Sequence, residues 1–400
     1  MAQVNGPDKG FEQMLAGITT LEPLDVTLGD ARGCQIAQDV VASAPMPSFS
    51  VCAAPGFAVR SQDTGGSVEL KVVDEVPAGY APTAAVTEGT AIKVAAGAQL
   101  PAGADAVAPL RQSTAEQGVV VIRGSVAPGC DVIAEGAVAA EGQVLVAEGT
   151  TVDARVVGVL ASMGSARALV RPRPRVVIVS VGAELRQAGA DVKDGLLYDA
   201  TGWMLATAAD EAGALSYRVG PIGDDIRTVA DTLDDQLVRA DLIVVCGGIA
   251  SPDDSVRSHL EQFADVSFDD ELANVGVFGY GKFDDDDIPV VALPDDPASA
   301  FVLFTAVVRS IIGAMLGRPP ERLKSVVLSD TLESSGGSLG LRLAKLSGGG
   351  KAVPVTFERP TVLDLMEADL LIRVGPGART IPAGASVTGL RLRPGANRTA

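Results

Sequence analysis

Between Arg175 and Leu316 the apolar residues come in short buried runs separated by amphipathic stretches. The pattern predicts strands at Val176–Ser180, Leu215–Val219, Leu242–Cys246 and Pro289–Leu293. Helices are predicted at Gly202–Glu211, Asp225–Ala240 and Ser299–Leu316. Strands and helices in alternation imply a doubly wound parallel sheet with right-handed crossovers. The β-branched run Val176, Val177, Ile178 and Val179 suits a strand covered on both faces, and such sheets hold ligands at the carboxyl ends of their strands. A ligand site is therefore expected just beyond Ser180, in the glycine turn that carries Glu184.

The flanks carry other rhythms. An opening helical stretch, Asp8 to Thr19, leads into the extended LEPLDVTLGDARGCQIAQDVVAS. From about Pro55 to Gly142, short alternating runs broken by Gly and Pro predict a small all-β module. Thr151 is placed to cap a helix over Val152–Met163 that stops at Gly164. Arg171-Pro172-Arg173-Pro174-Arg175 forms a stiff connection, because each Pro fixes its own φ. Gly317-Arg318-Pro319-Pro320 ends the alternating region, and the remaining 80 or so residues, with no long helical period, predict a small β-barrel. The expected organisation is residues 1–50 with 143–171 as a helical and extended segment, 51–142 as an all-β insert, 172–320 as the α/β domain and 321–400 as the barrel.

Composition narrows the chemistry. The chain has 400 residues and 47% hydrophobic content, enough for two or more globular units. No apolar run in the sequence approaches the roughly 20 residues that cross a bilayer, and MAQVNGPDKG lacks the basic and apolar regions of a signal peptide, so a cytoplasmic protein without membrane insertion is expected. The four cysteines are scattered, with no C-x-x-C pair, which indicates free thiols rather than a zinc site. A net charge of −18 argues against nucleic acid as a partner. The single histidine, His259, lies within a helical stretch and reads as a surface or capping residue, leaving Ser-His-Asp and His-metal chemistry without parts.

Several segments together carry a resemblance. They are ASMGSARALVRPRPRVVIVSVGAE (Ala161–Glu184), Tyr198-Asp199, Trp203-Met204-Leu205, Pro45–Ala58, LPAGADAV from Leu100, CGG from Cys246, LPDDPAS from Leu293, and EADLLIRVGPGARTIPAGASV near the carboxyl end. With these the chain resembles the MoeA family of molybdopterin molybdenumtransferases, related to the E domain of gephyrin, over almost its whole length. The resemblance implies an α/β plus β fold: a MogA/MoeA-type sheet, small β domains and a carboxyl-terminal β-barrel in an L-shaped homodimer. It implies insertion of molybdate into adenylated molybdopterin with release of AMP, using Mg²⁺.

Residue by residue, the resemblance assigns Glu184 to the acidic place of the T-G-D-E-L loop, beside Gly182, as a catalytic group and a metal ligand. Asp224 with Asp225 fills an acidic pair, and Lys282 takes the second lysine of K-P-G-K-P, so the resemblance makes Asp224 and Lys282 catalytic as well. Asp199 opens the D-S-N segment, Pro294 and Pro297 frame the P-G-N-P turn, and Gly247 and Gly248 begin the G-G-x-S-x-G-x-x-D segment; with Gly182 these are the ligand-binding positions. Asp254 approximates the last acidic place of that segment as a second metal ligand. As a bare sequence, the glycine pair also reads as the ordinary tight turn after a strand.

Departures from the family pattern are as informative. Pro55 stands where S-x-M-D-G-Y-A has its catalytic Asp, Ala96 replaces a Thr, and the first lysine of K-P-G-K-P falls on Gly279. Asp284–Asp287 follow Lys282, a run that reads as a solvated loop because consecutive like charges repel. Asp295 and Asp296 replace the Gly-Asn of a turn that opens a helix, where carboxylates occupy the N–H groups that would otherwise attract an anion. The expectation is a family member with impaired or lost catalysis. An active enzyme with a rearranged site and a gephyrin-like homodimeric scaffold for a peptide of a partner protein are the alternatives.

Overall fold

The structure is a computed structural model that describes residues 9–269, 275–283, 287–333, 340–355, 359–375 and 380–392. The chain divides into two compact units, one from residues 1–24, 33–35 and 170–400, the other from residues 25–32 and 36–169. Of the described residues, 9–24 therefore group with the α/β region and not with 143–169, where the sequence reading joins 1–50 to 143–171.

The first helix, α1 (Lys9–Ala16), sets Phe11 edge-on against Tyr280 with ring centroids 5.5 Å apart. The unit of residues 36–169 is built on a six-stranded sheet of β1 (Gly56–Val59), β2 (Ser67–Val76), β3 (Thr90–Val94), β4 (Ala106–Pro109), β5 (Ser113–Glu116) and β6 (Val119–Arg123), in the order β4-β1-β3-β2-β6-β5. Only β2 and β3 run parallel among these neighbours. Two apolar clusters fill it, one around Leu70, Val120 and Ile122, the other around Cys52, Ile92 and Val107. Helix α2 (Ala154–Ser162) follows, and its cap is Asp153, which accepts from the N–H groups of Arg155 and Val156. The cap is thus two residues beyond Thr151, and a carboxylate fills the place proposed for the hydroxyl.

In the other unit, β7 (Arg175–Val181), α3 (Thr201–Ala212), β8 (Leu215–Ile222), α4 (Ile226–Leu237), β9 (Leu242–Cys246), α5 (Ser255–Phe263), β10 (Ala264–Asp269), β11 (Phe278–Phe283), β12 (Pro289–Leu293) and α6 (Pro297–Met315) make the α/β layer. The strand order is β8-β7-β9-β12-β11-β10. Four strands are parallel, and β10 and β11 extend the sheet antiparallel. Every residue of β9 and β12 is buried, as helices on both faces require. Helix α6 passes through a π-helical turn at Phe304–Val308. By length and mean hydropathy it could cross a membrane, yet 78% of its apolar window is buried within the protein.

The last strands, β13 (Lys324–Val327), β14 (Gly340–Leu346), β15 (Ala352–Pro354), β16 (Leu370–Val374) and β17 (Ser386–Arg391), pair antiparallel in the order β13-β17-β16-β14-β15. A bridge from Leu328, just past β13, to Ala352 in β15 joins the two edges and closes a small barrel. A helix, α7 (Val362–Glu367), interrupts it under a capping box at Thr361. One apolar cluster takes in Phe11, α3 and α6 together with Leu341, Leu343, Leu371 and Leu390 of the barrel. The barrel and the α/β layer therefore share a core.

Candidate functional site

Strands β7, β9 and β12 deliver three turns to one end of the sheet. After β7 the Gly182 N–H donates to the Ile222 carbonyl at 3.0 Å, and the carboxylate of Glu184 folds back over the glycine. A Cβ on Gly182 would lie 2.7 Å from Glu184 Oε1, so the absence of a side chain creates the carboxylate's resting place. After β9, Gly247 and Gly248 have φ of 94° and 68°. A Cβ at Gly247 would meet the Val181 carbonyl oxygen at 2.3 Å, and one at Gly248 would meet Val256 at 2.9 Å. The turn reading of this pair is what the backbone demands.

The same glycines line a cavity of about 570 Å³, whose charged residues among those described are Asp254, Asp295, Asp296 and Arg359. Among the described lining residues, three carry a carboxylate and one a guanidinium. Asp296 caps α6, accepting from the Ser299 N–H at 2.9 Å, so the sharp turn at Asp295-Asp296 does fill a helix donor with the chain's own anion. Asp254 Oδ2 accepts from the Ser251 N–H at 3.0 Å. Pro294 lines the cavity, while Pro297 opens α6 beside it.

Asp199 is buried, 1% exposed, and saturated by its surroundings. It accepts from Ser180 Oγ at 3.1 Å, the Gly202 N–H at 2.8 Å and Arg218 at 3.2 Å. Burial drives the neighbouring Cys246 thiol far up, with the Asp199 charge adding to the effect, so this cysteine stays protonated. Asp199 holds the base of the site rather than facing a ligand.

Other residues singled out by sequence are not gathered at the cavity. Lys282 pairs across the sheet with Pro289, the first residue of β12, whereas the cavity lies past Leu293 at the last. Four residues of strand separate these ends, about 13 Å. Lys282 instead binds Asp287 at 2.8 Å, while Asp284–Asp286 lie outside the described residues. Gly279 sits inside β11, where a Cβ would strike the Phe268 ring at 2.6 Å, so packing accounts for that glycine. The cavity wall is supplied instead by Val275, Gly276 and Val277. Asp224 is exposed, and its neighbour Asp225 caps α4 through the Thr228 N–H at 3.0 Å; hydrogen bonds from the Thr228 side chain and then its N–H hold the Asp225 carboxyl below its usual range. Pro55 and Ala96 are exposed loop residues of the unit of residues 36–169.

Among the described residues no three His, Cys, Asp or Glu side chains converge as ligands for an ion. Asp254 and Asp296 are engaged by backbone N–H groups, so the donor set does not by itself fit the Mg²⁺ that the resemblance implies at Glu184 and Asp254.

Sequence reasoning missed three features. Arg359 sits alone in TFERPT with no pattern to mark it. Ser255 Oγ is buried without a hydrogen-bond partner, next to Gly248. Trp203, quoted only as part of a motif, is 52% exposed and carries the Arg218 guanidinium 3.9 Å above its ring centroid.

Residues 8–164 match the family described as MoeA N-terminal region (domain I and II), and residues 177–314 match the probable molybdopterin binding domain. A curated relative, molybdopterin molybdenumtransferase 1 of Mycobacterium tuberculosis, is 31% identical over 395 residues, covering 90% of this chain and 93% of its own. The chain belongs to the MoeA family. Molybdopterin molybdenumtransferase 2 of the same organism is 32% identical over 343 residues, covering 81% of this MoeA-family chain and 83% of that protein. The fold agrees with a crystal structure of a molybdopterin biosynthesis MoeA protein from Pyrococcus horikoshii, at a TM-score of 0.76 and 24% identity over 96% of this chain and 98% of that one.

Proposed function

We propose that this protein takes part in molybdenum cofactor biosynthesis, that its cavity receives adenylated molybdopterin, and that insertion of molybdate with release of AMP is slowed or lost. The observation that carries this reading is the charge of the cavity: Asp254, Asp295 and Asp296 against Arg359, with a first-turn N–H of α6 already taken by Asp296. A multiply anionic ligand gains most from free helix N–H groups and local cations, and among the described residues of the cavity both are in short supply. Pro55, at the family's catalytic Asp position, has no carboxylate with which to take a proton or hold a metal. Arg359 would orient the ligand's anionic portion, and Glu184, half-buried over Gly182, would lie at the rim of the same sheet end.

The test is AMP release from adenylated molybdopterin with molybdate and Mg²⁺, against a relative that keeps the Asp and the Pro-Gly-Asn-Pro turn. Turnover should fall by more than tenfold. A rate within tenfold, about 1.4 kcal/mol of barrier, would show the altered groups to be dispensable.

A second reading, the homodimeric scaffold, is favoured by an apolar groove of about 630 Å³ in the unit of residues 36–169, flanked by Phe49, Ile133 and Val138, the last 70% exposed. It requires a dimer, so a monomer mass by light scattering at micromolar concentration removes it.

A further inference from the structure

A second cavity, of about 270 Å³, lies wholly within the unit that holds residues 1–24 and 170–400, where α1, the end of α3 and the last turns of α6 meet Arg318-Pro319-Pro320-Glu321. Its apolar wall includes Leu15, Ala314 and Pro320, and its charged lining residues among those described are Glu12, Arg309, Arg318 and Glu321. These charges differ in depth. Arg309 is 6% exposed, whereas the Glu321 side chain is 41% exposed. The Arg309 guanidinium donates to Glu321 at 2.6 Å and to the Leu392 carbonyl at 3.2 Å. Burial lowers the pKa of Arg309 and of Arg318, and the Glu321 charge opposes that shift at both, so one carboxylate serves two guanidiniums.

Gly313, on the same wall, keeps the space open. Its φ is not positive, and a Cβ there would meet nothing within 4 Å. Glycine weakens a helix relative to alanine, so neither backbone conformation nor packing calls for it inside α6. A mostly apolar cavity with a few convergent polar groups is the usual form of a small-molecule site, and this volume is near the lower end of the range. The cavity is distinct from the one at the carboxyl ends of the strands. Ala212, which lines it, closes the 12-residue α3, while Thr201, which donates to the Asp295 carbonyl, opens that helix about 17 Å away.

We propose that this second cavity binds a small organic carboxylate with an apolar body, the anion paired with Arg309 and the body over Gly313. The deepest charge sets the polarity: an entering carboxylate reaches a buried guanidinium, and Glu321, nearer the surface, is the group it exchanges with. The planar fork of arginine receives a carboxylate through two parallel N–H bonds, which a neutral ligand cannot match. An ammonium group would meet like charge at the same depth. The site stands independently of any reading of the other cavity.

The probes are benzoate, benzamide and benzylamine with the full chain, followed by calorimetry on the natural protein and on Gly313→Leu. Benzoate should bind at a single site, with benzamide and benzylamine weaker by about tenfold or more. Gly313→Leu sends a side chain into the space and should weaken benzoate binding about tenfold or more, with its melting temperature reporting that it folds. Crystals of the natural protein soaked with 4-bromobenzoate locate the site without any variant, and anomalous density beside Arg309 is expected. Bromine density only elsewhere, benzamide or benzylamine binding as tightly as benzoate, unchanged benzoate affinity in a folded Gly313→Leu, or no saturable binding of benzoate each overturns the proposal.

Discussion

At the residue scale, Asp296 separates capping from charge. Asn caps a helix about as well as Asp, whereas Ala does not. Asp296→Asn should therefore leave thermal stability nearly unchanged, and Asp296→Ala should cost about 1 kcal/mol, read as a lower melting temperature. If charge limits ligand entry, Asp296→Asn should also tighten AMP binding by calorimetry. Equal affinity in the Asn variant and the natural protein would shift the burden to Pro55 and the missing catalytic carboxylate. The sequence made this position legible because Pro-Asp-Asp-Pro stands in a recognisable frame. Lys282 misled for the opposite reason: a lysine beside two glycines matches a motif in one dimension, and only the β11–β12 register reveals that it points away from the working end.

At the element scale, strands Leu242–Cys246 and Pro289–Leu293 were readable to the residue, since short apolar runs rich in β-branched residues and bounded by turn residues suit buried strands. The hairpin of β10 and β11 was not. Its glycines dilute the pattern, and Gly281 is needed because a Cβ there would overlap the Asp265 carbonyl oxygen at 1.9 Å, a contact between strands that no local rule contains. Helix α5 was likewise unseen as a core element. Its His259 is 3% exposed, packs on Phe263 at 4.9 Å and has an unpartnered Nε2, so it is a buried neutral side chain rather than a surface one. Burial lowers its pKa, with Asp234 pulling weakly the other way. A depressed histidine pKa means that the unfolded chain takes up the proton first, so this stabilisation is complete above about pH 6.5 and is lost as pH falls below that value toward the folded pKa. Thermal melts should show His259→Leu losing less stability between pH 7 and pH 5 than the natural protein. Parallel curves for the two would mean the imidazole is protonated in the fold.

At the scale of the whole molecule, the sequence placed a boundary near residue 320 that the packing does not respect. Gly-Arg-Pro-Pro does end α6, but Leu371 and Leu390 return to the α/β core, and nothing in a two-residue strand period says which face of a barrel meets which neighbour. Shared packing predicts shared stability. Leu371→Ala should cost roughly 2–5 kcal/mol. Hydrogen exchange should then quicken in β7 as well as in β16, because the two layers open together. Faster exchange confined to the barrel would make it an independent unit.

The contact of Phe11 with Tyr280 has a consequence in time. Some 270 residues of chain separate the two rings, and a ribosome adding about 5–20 residues per second needs roughly 13–54 s to cover that distance. For that interval the amphipathic α1 has emerged without the core that will cover it, while the unit of residues 36–169 is already complete and free to fold. Synthesis thus finishes the unit of residues 36–169 before the strand that covers α1 has been made.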